Sequence, residues 1–199
     1  MIPRLTTRRL VLRAPVAADV PAIARYLNNF AVVGNLARVP YPYSVADAEH
    51  WLNALPESPR PEATPFAIEL PEAGYIGTVG FQVTNGEPEL GYWLAEPFWH
   101  RGIMTEAAAA VIAWYFGLAR SDLIRSGVFH FNRASLAVQR KLGFVETGES
   151  LRHCLARGEE VRHIDTELSR ESWAGAVARA EAERVAVSRP ENAAPEDRS

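Results

Sequence analysis

The stretch FWHRGIMTEAAAA, at positions 98–110, combines features that could bind an anion. Arg101 carries a positive charge, and Gly102 lets the backbone come close to a ligand just before a helix that the pattern predicts over residues 103–118. The first turn of a helix has N–H groups without partners and a partial positive charge, so it binds phosphate readily. The same residues also fit a plain loop before a core helix, and this stretch alone leaves both interpretations open.

A second stretch that could do chemistry is NRASLAVQRKLGF, at positions 132–144, which begins where a predicted strand ends. Asn132 can cap the helix that follows, and its amide group offers both a donor and an acceptor to a ligand. Ser135 comes three residues later, so the two side chains can face the same opening. A helix cap followed by a serine on the helix surface is the alternative interpretation.

The order of predicted elements places both stretches at the centre of one sheet. Alternating and helical apolar patterns predict the order β-α-α-β-β-β-α-β-α-β-β, and Asn85-Gly86 predicts a hairpin between two of the strands. A strand–helix–strand unit after a run of antiparallel strands favours one parallel pair in an otherwise antiparallel sheet. We therefore predict a mixed α/β fold, with the strand ELGYWLA (residues 89–95) and the helix from Ile103 at its centre.

Length and patterning divide the chain into a domain and an extension. We predict one folded domain over residues 1–173 and a charged, alanine-rich C-terminal extension over residues 174–199. The extension can be partly helical, and its last stretch, SRPENAAPEDRS, has the composition of a disordered tail. The patterning leaves open whether a helix here forms a homodimer or the protein is a monomer.

Composition narrows the classes of function. The formal net charge is −3, which argues against a protein that binds nucleic acid over a large surface. Cys154 is the single cysteine, so no internal disulfide can form and a reducing compartment fits. The chain has no signal-peptide pattern and no run of about 18 apolar residues, which a membrane span needs, so we expect a cytoplasmic location and no membrane partner. The histidines lack metal-site spacing, and we predict no metal.

Together the two stretches resemble the GNAT acetyltransferase superfamily. HRGIMTEA precedes NRASLAVQRKLGF by about thirty residues, and TTRRLVLRAP and ELGYWL match supporting motifs of the family in the expected order. The resemblance covers roughly residues 5–173 and is closest to the RimJ/RimL type, which acetylates the N-terminal amines of ribosomal proteins. It implies a twisted, mostly antiparallel sheet whose one parallel strand pair splays around an acyl-CoA cleft, flanked by about four helices.

The resemblance also implies the reaction and the contacts of the donor. Acetyl-CoA would donate its acetyl group directly to a primary amine in a ternary complex, without a covalent enzyme intermediate. The first motif would bind the pyrophosphate, the second would line the pantetheine arm, and the strand before the first motif would contact the thioester carbonyl. The cofactor-binding residues that we predict on this basis are Trp93, Leu94, Ala95, Arg101, Gly102, Ile103, Met104, Thr105, Asn132, Ser135 and Arg140.

Catalytic residues are predicted from the same motifs. We favour Glu89 as the base that accepts the proton of the amine, with Glu69 as the rival, although an ordinary strand carboxylate is the alternative for both. Ser135 is our candidate for the partner of the leaving thiolate. Many members of the superfamily carry a tyrosine acid where this chain has Gln139, so the acid must come from another residue or from water. Glu106 would repel a pyrophosphate if it faced one, and we interpret it as structural.

The sequence leaves the amine acceptor open. Tyr41 and Tyr43 lie in a long loop, where they could either wall an acceptor pocket or pack on the domain. The acceptor could be a protein N-terminus or a small amine. Two other functions remain open: an acyl-CoA-binding sensor without turnover, and a transferase that uses a different donor such as succinyl-CoA.

Overall fold

The computed structural model describes residues 2–56, 59–118 and 121–187. Within them, the strands are β1 Leu5–Thr6, β2 Val11–Arg13, β3 Pro65–Leu70, β4 Gly74–Thr84, β5 Glu87–Leu94, β6 Leu123–Phe129, β7 Val145–Cys154 and β8 Glu159–Ser169. The helices are α1 Val20–Leu27, α2 Phe30–Val33, α3 Val45–Asn53, α4 Ile103–Leu118, α5 Arg133–Leu142 and α6 Arg170–Val187.

The strands form a single sheet in which one pair is parallel. Their order is β1-β2-β3-β4-β5-β6-β8-β7, and every neighbouring pair is antiparallel except β5 and β6. This arrangement confirms the predicted mixed α/β fold with a mostly antiparallel sheet. β5 and β6 pair at a single position, Glu89 with Arg125, so the two strands separate beyond it and leave a gap in the sheet.

The hairpin between β4 and β5 sets the register of the central strand. Asn85 and Gly86 both have a left-handed backbone, with φ of 52° and 82°. A two-residue turn with positive φ matches the twist of the flanking strands, so the hairpin predicted from Asn85-Gly86 is confirmed. The resulting register places Gln82 opposite Glu89.

The sheet separates two layers of helices, which we name the α4 face and the α1 face. On the α4 face, α4 is buried against the sheet, and its alanines allow close packing. On the α1 face, α1 and α3 pack on a second apolar cluster that includes Ala67 and Tyr75. Because side chains alternate along a strand, Tyr92 of β5 faces α4, while its neighbour Trp93 faces α1. The gap between β5 and β6 connects the two faces.

The C-terminal helix continues the folded domain. α6 begins at Arg170, Trp173 packs on the main core, and Ala176 is buried. The predicted boundary at 173/174 therefore falls inside one continuous helix, and the predicted tail lies outside the described residues. The described residues form six helices where the resemblance implied about four, because α2 is a single short turn and α6 reaches into the predicted extension. In the described part of the chain, no helix has the length and apolarity that a membrane span needs.

Candidate active site

A cleft of about 840 Å³ occupies the gap between β5 and β6. On the α4 face, it is lined by β5 and the loop after it, the start of α4 and the first turns of α5; on the α1 face, by the segment after α2 and by residues of β7 and β8. Glu89 is the only carboxylate among the described residues that line it, whereas the lining cations are Arg38, Arg101, Arg133, Lys141 and Arg152. The cleft is therefore positively charged and suits a polyanion.

The loop before α4 presents its backbone at one end of the cleft. His100 and Gly102 both have a left-handed backbone, with φ of 61° and 69°. Turns that contain left-handed residues can direct several N–H groups to one side and so form a cradle for an anion. The predicted residues from Arg101 to Thr105 all line the cleft. The side chain of Met104 is buried in the core, which leaves its backbone to face a ligand.

A side-chain network fixes this loop to the start of the chain. Glu106 accepts hydrogen bonds from Thr7 Oγ1 (2.6 Å), from the Arg9 backbone N–H (2.9 Å) and from Arg9 Nε (2.7 Å). Although partial burial raises the pKa of Glu106, these hydrogen bonds and the Arg9 charge lower it below its usual value. Arg9 also donates from Nη1 to the Arg101 carbonyl at 2.8 Å. The structural interpretation of Glu106 is confirmed, because its carboxylate binds Arg9, which in turn binds the loop at the Arg101 carbonyl.

The start of α5 forms the next part of the wall. Asn132 caps the helix by accepting a hydrogen bond from the Ser135 backbone N–H at 3.1 Å. The cap uses the amide oxygen of Asn132, so its Nδ2 group remains a donor for a ligand. Ser135 Oγ lies 2.8 Å from the Tyr92 hydroxyl, which is also 3.3 Å from the Ser135 carbonyl oxygen. Asn132, Ser135 and Tyr92 all line the cleft.

Sequence reasoning missed Tyr92, which contacts a residue 43 positions away in the chain. Burial raises the pKa of Tyr92 to about 12, an effect that the hydrogen bond to Ser135 only partly opposes. The hydroxyl therefore stays protonated at neutral pH and can donate a hydrogen bond. The strand alternation in ELGYWL was the available signal, because it places Leu90, Tyr92 and Leu94 on one face of β5.

The Gln139 side chain is part of a buried hydrogen-bond network. Its Nε2 donates to Ser126 Oγ at 2.9 Å, and its Oε1 accepts from Thr166 Oγ1 at 2.8 Å. Ser126 in turn donates to the Leu90 carbonyl at 2.9 Å, across the gap. Gln139 is 1% exposed. Gln139 therefore links α5 to β6 and β8 and, through Ser126, to β5.

The backbone of β5 offers N–H groups to the gap. The Ala95 N–H donates to the Ile76 carbonyl of β4 at 2.9 Å, whereas the Leu90 carbonyl points to β6 and accepts the bond from Ser126. Backbone groups alternate in direction along a strand, so the N–H groups of Tyr92 and Leu94 face the gap. Of the three predicted carbonyl contacts, Trp93 and Leu94 line the cleft, while Ala95 does not and its N–H is already bonded.

Polar side chains gather where the cleft opens on the α1 face. Glu89 Oε1 lies 3.2 Å from Arg152 Nη1, and the Glu89 side chain is 13% exposed. Arg152 Nη2 lies 3.9 Å from Asp165 Oδ1, which also contacts His163 Nδ1 at 2.8 Å. Glu89, Arg152 and His163 line the cleft. This group combines residues of β5, β7 and β8, and only Glu89 was expected from the sequence.

Several predicted residues lie away from the cleft. Glu69 is bound to Arg13 at 2.5 Å, within a cluster that also includes Asp19. Arg140 is exposed and pairs with Glu146, and its neighbour Lys141 lines the cleft instead.

The two predicted acceptor-wall tyrosines do not line the cleft either. Tyr43 is buried in the α1-face cluster, and Tyr41 is 46% exposed and packs edge-on against Phe30. Their loop contributes other lining residues, the segment from Asn35 to Val39. No group of three or more His, Cys, Asp or Glu side chains in the described residues could hold a metal ion.

Comparison with known proteins identifies the family. The sequence matches the acetyltransferase (GNAT) domain over residues 9–145. It is 26% identical to the uncharacterized N-acetyltransferase p20 of Bacillus licheniformis over 176 residues, which cover 86% of this chain and 98% of that protein. The structure of Mycobacterium smegmatis RimJ in complex with CoA-disulfide is similar with a TM-score of 0.72 and 24% identity, covering 86% of this chain and 89% of that chain. The spermidine N-acetyltransferase of Vibrio cholerae, in complex with CoA and spermine, has a TM-score of 0.70 and 19% identity, covering 84% of this chain and 99% of that chain.

The family match spans more than half of the chain and includes both motifs that carried the resemblance. The likeness to RimJ, at 24% identity, shows a shared fold over most of both chains. The chain therefore belongs to the GNAT acetyltransferase family, and it is an acyltransferase.

Proposed function

We propose that this protein is an acetyl-CoA-dependent N-acetyltransferase that acetylates a primary amine by direct attack in a ternary complex. The observation that carries the proposal is the cleft through the gap between β5 and β6. Its α4 face has the cationic loop and the Ser135–Tyr92 pair, and its α1 face has Glu89. A donor on the α4 face and an amine on the α1 face can meet in the gap. Because the cleft holds the two reactants close together, the acetyl group can pass directly to the amine without a covalent enzyme intermediate.

The residues on the α4 face fit the donor. Backbone N–H groups from Arg101 to Met104 suit the pyrophosphate, with charge from Arg101, Arg133 and Lys141. The amide Nδ2 of Asn132 suits the pantetheine arm. When bound, acetyl-CoA supplies the acetyl thioester, and the N–H groups of Tyr92 and Leu94, which face the gap, can stabilise charge at its carbonyl oxygen.

Ser135 and Tyr92 together can protonate the leaving sulfur. We assign Ser135 Oγ as the group that donates a hydrogen bond directly to the sulfur. The protonated Tyr92 hydroxyl lies 2.8 Å from Ser135 Oγ and donates a hydrogen bond to it in turn. Tyr92 thus supplies from β5 the acid that the resemblance would place on a tyrosine at the position of Gln139. The high pKa of the Tyr92 hydroxyl keeps the proton available throughout the neutral range.

Glu89 can attract the amine on the other face. As the only carboxylate among the described lining residues, it is the natural contact for the ammonium form of an acceptor. It is also the base that the sequence predicts. The acceptor class remains a protein N-terminus or a small amine; the spermidine N-acetyltransferase, which has a similar fold and was solved with CoA and spermine, illustrates the small amine.

Calorimetric titration with acetyl-CoA, CoA and succinyl-CoA tests the donor site. We expect micromolar affinity for acetyl-CoA, and about tenfold weaker binding by Asn132→Ala, because a hydrogen bond to the pantetheine arm is lost. Asn132→Ala also removes a helix cap, which costs about 1 kcal/mol of stability. Asn132→Asp is the matched variant, because it keeps the capping oxygen and loses the Nδ2 donor, so it should bind as weakly as the alanine variant.

The titration, combined with an assay of thiol release, separates the alternatives. Binding of acetyl-CoA without thiol release in a broad amine screen would favour the sensor without turnover. Tighter binding and faster turnover of succinyl-CoA would show that succinyl-CoA is the donor. Arg38 and Arg152 of the cleft would then be the natural contacts for its carboxylate. Failure of all three ligands to bind would exclude the transferase and the sensor together.

Gly102→Ala is expected to weaken acetyl-CoA binding about tenfold, because a left-handed alanine costs about 1–2 kcal/mol and the loop would relax out of its cradle shape. Gly74→Ala is the matched control: φ at Gly74 is 70°, no atom lies within 4 Å of its Cβ position, and it begins β4 away from the cleft. Both variants should lose similar thermal stability, and only Gly102→Ala should lose affinity. Equal affinity of the two variants would contradict a role of the loop in donor binding.

A further inference from the structure

His163 lies on the α1 face, where β8 runs beside β6. Its side chain is 6% exposed and packs edge-on against Phe129, at 5.9 Å between ring centroids. The ring covers Gly127 of β6 so closely that a Cβ there would lie 2.1 Å from His163 Cε1 and 2.8 Å from Nε2. A glycine at this point of the strand thus gives the imidazole room to reach the edge of the gap.

The two ring nitrogens of His163 have different surroundings. Nδ1 lies 2.8 Å from Asp165 Oδ1, and a carboxylate can only accept, so the proton is on Nδ1 and the lone pair is on Nε2. The same Oδ1 accepts a hydrogen bond from Ser150 Oγ at 3.0 Å, which fixes the carboxylate. No hydrogen-bond partner of Nε2 is found in the part of the chain that the structure describes. The lone pair is therefore available at the wall of the cleft.

Three charged groups face this imidazole: Asp165 on its own strand, Arg152 on β7 and Glu89 on β5. Burial lowers the pKa of His163 below its usual value of about 6.5, and the hydrogen bond to Asp165 opposes part of that shift. The ring is thus neutral at neutral pH, which is the form that accepts a proton.

Resting on the proposed function, we propose that His163 Nε2 accepts the proton of the acceptor amine, with Asp165 as the residue that positions the ring, while Glu89 holds the ammonium group. Glu89 Oε1 already contacts the positively charged Arg152, so this carboxylate suits the role of a fixed negative charge that binds the ammonium group. The neutral imidazole, in contrast, gains charge next to the carboxylates of Asp165 and Glu89. The two roles that the sequence assigned to one carboxylate are divided between two residues.

The ammonium nitrogen gives one proton to Nε2, and its freed electron pair forms the C–N bond with the thioester carbonyl carbon. The C–S bond then breaks, and the sulfur takes one proton from the Ser135 hydroxyl, which is hydrogen-bonded to Tyr92. The nitrogen loses its second proton to solvent, and solvent returns a proton to Ser135. His163 releases its proton to solvent, so that one amide, one thiol and one proton leave.

Steady-state kinetics of His163→Gln from about pH 5 to 9 test this assignment. We expect kcat to fall about 100-fold, with the amine KM and the acetyl-CoA Kd within about threefold of wild type. The wild-type kcat should decline on the acid side with a midpoint below about 6.5, and this decline should disappear in the variant. His153→Gln, an exposed histidine of β7, is the matched control and should behave as wild type.

Asp165→Asn provides the second variant, because it keeps the side-chain shape but favours the wrong tautomer of His163. It should lower kcat about tenfold or more without changing the amine KM, and it should move the acid-side midpoint. Retention of wild-type kcat and of the acid limb by His163→Gln would overturn the proposal, as would equal losses in the His153→Gln control. Absence of turnover in the wild type, with acetyl-CoA still bound, would instead contradict the proposed function.

Discussion

Replacing Ser135 by alanine is expected to lower kcat by about 100-fold while changing the acetyl-CoA Kd less than about threefold. The hydroxyl is assigned to the sulfur, where negative charge develops only as the C–S bond breaks. Removing such a donor costs transition-state stabilisation rather than ground-state binding. The Ser135 backbone N–H keeps its bond to Asn132, and Tyr92 still has the Ser135 carbonyl oxygen at 3.3 Å, so the fold of the wall should persist.

Two further variants separate a role in catalysis from a role in packing. Ser135→Thr keeps the hydroxyl and should restore most of the lost kcat. Tyr92→Phe removes the group behind it and should lower kcat about tenfold, with a smaller effect because Ser135 can still donate a hydrogen bond. The measurement is thiol release at saturating acetyl-CoA and amine. A full loss of activity in Ser135→Thr, or unchanged kcat in Ser135→Ala, would remove the hydroxyl from the mechanism.

The parts of this site that could be predicted from the sequence depend on interactions between residues that are close together in the chain. A glycine before a helix and an asparagine after a strand each act within a few residues, so the loop from Arg101 to Thr105 and the cap at Asn132 could be placed in advance. The hairpin at Asn85-Gly86 could be placed for the same reason. The strand–helix–strand order favoured the parallel pair, because parallel neighbours need a long crossover connection such as a helix.

The parts that sequence reasoning missed depend on contacts between distant segments. His163 and Tyr92 were missed because their partners, Gly127 and Ser135, lie on other elements, and register brings them together. Arg140 and Lys141 are one helical step apart, which rotates their side chains by about 100°, so an error of one residue exchanges a cleft contact for an ion pair with Glu146.

The acceptor wall shows the same limit in the long segment between α2 and α3. Aromatic side chains in a loop can be buried as well as exposed to a ligand, and composition does not distinguish the two. Tyr43 fills the α1-face cluster, while Arg38, a few residues earlier, donates to Gln82 Oε1 at 3.0 Å beside the cleft. Gln82 is the cross-strand neighbour of Glu89, so the hairpin register, which follows from its turn, links this loop to the acceptor site.

Glu89→Gln is expected to raise the amine KM by about 30-fold and to lower kcat less than about fivefold, because a charge-assisted hydrogen bond to the ammonium contributes about 1.5–3 kcal/mol. The glutamine keeps the size of the side chain and can still accept a hydrogen bond from Arg152, so the acetyl-CoA Kd should not change. Glu149→Gln is the matched control, since it removes a carboxylate of β7 that pairs with Arg162 and is largely exposed.

The division of the loss between KM and kcat decides which residue is the base. A binding role for Glu89 predicts that kcat of Glu89→Gln keeps the acid-side decline of the wild type, because His163 still titrates. A loss of kcat of about 100-fold with the amine KM unchanged would assign proton transfer to Glu89, as the sequence predicts, and would leave His163 with a structural role. Because the two variants differ in the pH profile as well as in the size of the effect, a general weakening of the α1 face cannot imitate either result.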